Sequence, residues 1–209
     1  RLLYWLDTTG RQSETDVIVL SDHGYSTVRA TVDVRAALVG AGFAEGGRRG
    51  GVTVVPNGGA VLFYLHGRER ATADRLAEWL MGQPWCGTVV SARAVGEIEG
   101  TLPAALVGAE GPRTPDLAMS FAWDSEPNAA GYIGHVISTN AHAADHGSLS
   151  RQEVRSVLVA RGPSFKRGVS VSAPTGNVDV APTVLSILGL PGREEMDGRV
   201  LNEALAGGP

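Results

Sequence analysis

Cysteine is almost missing from these 209 residues. Cys86 is the only one, so no intrachain disulfide forms. That leaves the compartment open between cytoplasmic and exported, since an exported protein need not carry disulfides. Long apolar runs are missing too: no stretch approaches the roughly 20 residues of a membrane-spanning helix. There is no long basic run, and the formal net charge is −4. Both facts argue against nucleic acid or an anionic membrane as the main partner. No repeat of fixed period is present. No G-x-S-x-G elbow occurs either, which disfavours a serine hydrolase although Ser, His and Asp are all available.

What is present reads as an ordinary soluble globular chain, 43% hydrophobic and 19% charged, long enough for one sizeable domain. Its 28 glycines and 11 prolines punctuate the chain and form no low-complexity run. The opening RLLYWLD has no initiator Met and no signal peptide. Leu2, Leu3, Trp5 and Leu6 predict the apolar side of a helix, ended by Thr8-Thr9-Gly10. The abrupt start reads either as trimming of a few residues or as the later part of a longer protein. The motifs below favour the second.

The stretch DVIVLSDHGYSTV, residues 16–28, carries the first of these motifs. Val17-Ile18-Val19-Leu20 is continuously apolar, which predicts a strand covered on both faces in a parallel α/β sheet. Such a strand delivers ligands from the loop at its carboxyl end. A different texture runs from 31 to 108. Val34, Ala37, Leu38 and Ala41 share a helical face, with Gly42 placed to cap it. VTVVP and AVLFYLH flank Asn57-Gly58-Gly59, a hairpin signal, and Pro56 puts the first strand near an edge. Thr72 is placed to cap a helix through Leu76, Trp79 and Leu80, and GTVVSARAV reads as a further strand. Together these predict a small α/β lobe over 31–108, inserted into the main body.

Beyond Pro112 and Pro115 the main body resumes. DLAMSFAW (116–123) and SVLVARGP (156–163) read as strands. Asn177 or Asp179 caps a helix with Pro182 in its first turn and Leu185, Ile187 and Leu188 inward, stopped by Gly189 and Pro191. A short final helix is expected over 200–205.

Asp22 and His23 are adjacent, so a regular strand would point them to opposite faces. A loop that re-aims both, with Gly24 giving backbone freedom, brings a carboxylate and an imidazole toward one divalent ion. The alternative is a polar turn after a strand. His146 stands in a second Asp-His-Gly triplet, in NAHAADHGS, as a ligand or a solvated loop residue. Asp145 beside it is either a partner of that ligand or a plain loop residue. His142 and His135 are weaker candidates, and His66 and Cys86 read as structural.

The order SDHG, DHGS, VLVARGPSFKRG, NVDVAPTVLSILGLP and MDGRVL resembles the C-terminal part of the type I phosphodiesterase/nucleotide pyrophosphatase family, within the alkaline phosphatase superfamily. The resemblance is strong at 14–28 and 145–200 and loose between. It implies an α/β alkaline-phosphatase-like sheet with flanking helices, residues 1–209 forming its C-terminal portion and 31–108 the inserted lobe. It also implies two divalent metal ions, zinc by family habit. Asp22 and His23 would ligate one ion and His146 the other. The substrate class is a small phosphate ester, hydrolysed through a covalent phospho-enzyme on a Thr or Ser. That nucleophile and the remaining ligands should precede SDHG by a long stretch, and the first 20 residues contain no match. The resemblance therefore implies a missing N-terminal portion of the same protein and an inactive isolated chain. Phosphatase, phosphonate hydrolase, sulfatase and a non-catalytic binding domain are the alternatives on this scaffold.

Overall fold

Asn57-Gly58-Gly59 reverses the chain between two strands, as its composition predicts, with Gly58 at φ 61°. The computed structural model describes residues 1–207. In chain order its elements begin with α1 (Leu2–Thr9), β1 (Val17–Leu20), β2 (Ser26–Thr31), α2 (Val34–Gly40), β3 (Val52–Asn57) and β4 (Ala60–Leu65). They continue with α3 (Arg70–Met81), β5 (Cys86–Ser91), β6 (Leu102–Pro103), β7 (Leu117–Phe121) and β8 (Trp123–Pro127). The last are β9 (Ile133–Ser138), β10 (Ala144–Asp145), β11 (Leu158–Arg161) and α4 (Val180–Ile187). This is a mixed α/β fold of sheets with flanking helices. It divides into two units: Gly24–Arg155, and Arg1–His23 joined with the chain from Ser156 onward.

The Gly24–Arg155 unit holds two sheets. One has strand order β3-β4-β7-β5-β6, the other β10-β2-β9-β8 with β2 and β9 parallel. The stretch 31–108 supplies four strands of the first sheet, while its central strand β7 comes from 117–121. β3 lies at the edge, which is where Pro56 costs no ladder hydrogen bond. Along β4 the side chains alternate, so Val61, Phe63 and Leu65 are buried on one face. Helix α3 buries Ala73, Leu76, Ala77 and Leu80, a helical spacing that turns one stripe into the core. Trp79 links Phe43 and Trp85 at ring separations of 5.7 and 5.8 Å. Each fully buried Phe or Leu here contributes about 1.5–3 kcal/mol. Cys86 lies beside this cluster, and burial pushes its thiol up to about 11.

Local capping differs from expectation. Asp33 caps α2, accepting from the Ala36 amide at 3.0 Å. Helix α3 starts at Arg70, so Thr72 lies inside its first turn and caps nothing. A second lock joins β4 to β7: buried Asp116 accepts from the Leu65 amide at 2.7 Å and pairs with Arg68 Nε at 3.0 Å. Arg68 takes a left-handed conformation, φ 48°, at that point.

In the other unit, β1 pairs with β11 alone, antiparallel, from Val17↔Arg161 to Leu20↔Leu158. The expectation of a parallel strand covered on both faces does not hold: Val19 is 60% and Val159 59% exposed. An apolar run reports that a strand seeks cover; it does not report the partner's direction. Helix α1 runs to Thr9, capped by Gly10 at φ 72°, and buries only Leu6 of its apolar side. Helix α4 buries Pro182 and Thr183, while Leu188 is exposed. Residues 200–205 form turns and no helix. Their anchor is Thr183, whose hydroxyl accepts from the Leu201 amide at 3.0 Å and donates to the Asp179 carbonyl at 2.7 Å.

Candidate metal-binding loops

The Ser-Asp-His loop continues the β1 ladder before leaving it. Ser21 N–H donates to the Val157 carbonyl, and Val157 N–H donates back to Ser21 Oγ, both at 3.0 Å. Asn177 then holds the loop from outside. Its Nδ2 donates to the carbonyls of Ser21 and Asp22 at 3.1 and 2.9 Å. With the backbone fixed on both sides, Asp22 Oδ2 and His23 Nε2 stand 3.4 Å apart. The Asp22 side chain is 85% exposed and that of His23 28%. Sequence reasoning placed Asn177 only as a helix cap. A side-chain amide that donates to two carbonyls across more than 150 residues leaves no local signal.

Gly24 was expected to serve through backbone freedom. Its place instead requires close approach: a Cβ there would lie 2.0 Å from the Gln152 carbonyl oxygen. Its amide donates to the Glu153 carbonyl at 2.8 Å. Glycine is required there by the space its missing side chain leaves, not by a left-handed φ.

His146 belongs to the Gly24–Arg155 unit and sits on a heavily braced loop. Asp145 is buried, and its carboxylate accepts from Ser138 Oγ at 2.6 Å, the His146 amide at 2.9 Å and Asn140 Nδ2 at 3.0 Å. Burial pushes this carboxyl up, but the hydrogen bonds outweigh it and hold Asp145 below the usual carboxylate range. On the next side, buried Glu153 accepts from the Ser148 amide at 2.6 Å, and Ser120 Oγ accepts from Leu149 at 2.9 Å. The Gly58–Gly59 turn closes the third side. Gly59 N–H donates to the His146 carbonyl at 2.7 Å, and a Cβ on Gly58 would lie 2.4 Å from that oxygen. The ring of Tyr25 meets the His146 imidazole edge to face, 5.5 Å between centroids. Asp145 thus braces the backbone of the His146 loop. Glu153, Ser138 and Asn140 carried no sequence signal.

The lesser candidates fall elsewhere. His135 Nδ1 lies 3.0 Å from Asp124 Oδ1, and Arg29 pairs with the other oxygen of that carboxylate. His66 Nε2 meets Thr53 Oγ1 at 2.8 Å, a cross-strand contact of β3 and β4. His142 is exposed.

A carboxylate oxygen and an imidazole nitrogen 3.4 Å apart match the spacing of two tetrahedral ligands each about 2.0–2.1 Å from zinc. The donor set at Asp22 and His23 therefore fits a divalent transition ion. Two ligands are fewer than the three protein ligands of catalytic zinc sites. Among the described residues no three His, Cys, Asp or Glu side chains gather in one metal-sized group.

No protein-family model matches this sequence, and no curated protein matches it. Among solved structures, human ectonucleotide pyrophosphatase/phosphodiesterase 5 has a similar fold, with a TM-score of 0.63 and 14% sequence identity. The likeness covers 99% of this chain and 49% of that one, so the chain spans about half the length of that structure. At this identity the likeness defines the fold and leaves the chemistry to the residues.

Proposed function

We propose that this chain supplies one part of a metal-dependent phosphoester hydrolase centre of the phosphodiesterase/nucleotide pyrophosphatase type. Asp22 and His23 would hold one divalent ion and His146 another, zinc being one of the transition ions that suit such donors. The observation that carries the reading is the 3.4 Å approach of Asp22 and His23 at the end of β1. Its setting in a fold similar to a nucleotide pyrophosphatase/phosphodiesterase supports it. When bound, such ions lower the pKa of a hydroxyl nucleophile and offset charge on the phosphoryl oxygens. This chain's own contribution is positional. Asn177 fixes the loop bearing Asp22 and His23, and Asp145, Glu153 and Gly59 fix the loop bearing His146. Both imidazoles must be neutral to ligate, so metal affinity falls as pH is lowered.

The attacking Thr or Ser, giving a covalent phospho-enzyme, and the remaining ligands would come from a further segment of the same polypeptide. The β1–β11 pair supports that view. Two strands are marginal on their own, and Val19, Leu20, Val157 and Val159 are exposed. We place the further segment over this apolar pair. The 209-residue chain alone should leave bis-(p-nitrophenyl) phosphate unhydrolysed with zinc present; rapid turnover would overturn the division of the site.

A further inference from the structure

A cleft of about 440 Å³ opens beside the end of the β1–β11 ladder at which Val17 pairs with Arg161. Asp22 and His23 follow Leu20, at the opposite end of the ladder. The rise of a strand sets the two places roughly 10 Å apart or more. The cleft is therefore distinct from the metal-binding loops, and nothing argued for them bears on it.

Its charge is one-sided. Arg161, Lys166 and Arg167 line it together with Gln12 and Phe165, and no carboxylate is among the described lining residues. This occurs in a chain of net charge −4, and Lys166 is its only lysine. Arg161 is already engaged by Asp7 at 2.8 Å. Lys166 Nζ donates to the Glu203 backbone carbonyl at 3.1 Å; the Glu203 carboxylate lies within electrostatic range of it but forms its salt bridge with Arg199. Arg167 is exposed and forms no ion pair with any described residue. Two cations that form no salt bridge with any described residue thus share one concave site, which buried Phe165 also lines.

We propose that this cleft binds a compact phosphorylated anion, with Lys166 and Arg167 pairing with its phosphate oxygens. A guanidinium offers parallel donors that match two phosphate oxygens, and an ammonium adds a point charge beside it. The volume lies in the range of small-molecule sites, large enough for pyrophosphate or a nucleotide.

The test is calorimetric titration of the metal-free 209-residue chain with inorganic pyrophosphate, ADP and sulfate at matched ionic strength. One pyrophosphate or ADP should bind per chain, and the tighter of the two identifies the source of the phosphate. Lys166→Glu and Arg167→Glu should each weaken binding roughly tenfold or more, and Lys166→Arg should retain it. Arg193→Glu, an exposed charge reversal outside the cleft, should leave it unchanged. The single lysine permits a second readout: pyrophosphate should slow acylation of Lys166 by an amine-reactive ester. Absence of both heat and protection overturns the proposal. So does undiminished binding by the folded Lys166→Glu/Arg167→Glu variant, or sulfate binding as tight as pyrophosphate.

Discussion

The amide of Gly59 donates to the carbonyl oxygen of His146 across 2.7 Å, joining a hairpin turn to the loop that presents the imidazole. Gly58 reinforces the contact, because its φ is 61° and a Cβ would lie 2.4 Å from the same oxygen. Gly58→Ala should therefore cost more than its conformational strain. Gly42 is the comparison, with φ 82° and nothing within 4 Å of a Cβ. Gly42→Ala pays for strain alone, about 1 kcal/mol. Gly58→Ala should be more destabilising by about 1–3 kcal/mol and should raise amide exchange at 145–148. Equal melting curves for the two variants would remove the bracing role.

Asn177 makes a prediction that depends on which group donates. Its Nδ2 reaches the carbonyls of Ser21 and Asp22 at 3.1 and 2.9 Å. Asn177→Ala should cost about 0.5–1.5 kcal/mol and loosen 21–23 in relaxation measurements. Asn177→Asp should be no better than alanine, since a carboxylate cannot donate to a carbonyl. Stability restored by the aspartate would show that shape alone matters there.

Asp179 carries a pH dependence. Its carboxylate accepts from the amides of Arg199 and Gly176, both at 2.9 Å, and these bonds hold its pKa below the usual 3.8 despite burial. The folded state thus binds this proton less readily than the unfolded chain. The stability it contributes is full above the unfolded pKa and is lost as pH falls through the folded value. Thermal melts should show this loss below about pH 4. Asp179→Asn should be less stable at pH 7 by about 1–3 kcal/mol, with a shallower decline in acid. A variant as acid-sensitive as the parent would contradict this.

Much of the fold was legible because its signals are local. The Asn57-Gly58-Gly59 hairpin, the buried stripe of α3 and the strand at 17–20 each follow from turn chemistry or periodicity. The sheet partner of β1 was not legible, because an antiparallel β11 lies more than 130 residues away. At the candidate site, Asp22, His23 and His146 stood out as residue types beside glycines. Asn177, Glu153 and Ser138 did not, since buried polar bracing depends on contacts that only the folded chain creates. Asp33 at the start of α2 is the opposite case: an ordinary cap signal that stands immediately before the helical face beginning at Val34.

Arg68 offers a separate check on the backbone. It is the only non-glycine among the described residues with positive φ, 48°, and it pairs with buried Asp116 at 3.0 Å. Arg68→Gly loses the pair and relieves the strain; Arg68→Ala loses the pair and keeps it. The glycine variant should be more stable than the alanine variant by about 1–2 kcal/mol in denaturant titrations. The reverse order would place Arg68 outside the left-handed region.

The central claim is that Asp22, His23 and His146 hold the metal ions of a phosphoester hydrolase. Its most direct test uses the natural polypeptide that carries these 209 residues, loaded with zinc and assayed on bis-(p-nitrophenyl) phosphate. Asp22→Ala and His146→Ala should each lower kcat/KM on the order of 100-fold or more and release bound zinc, with the fold retained. Undiminished turnover in both variants would contradict the account.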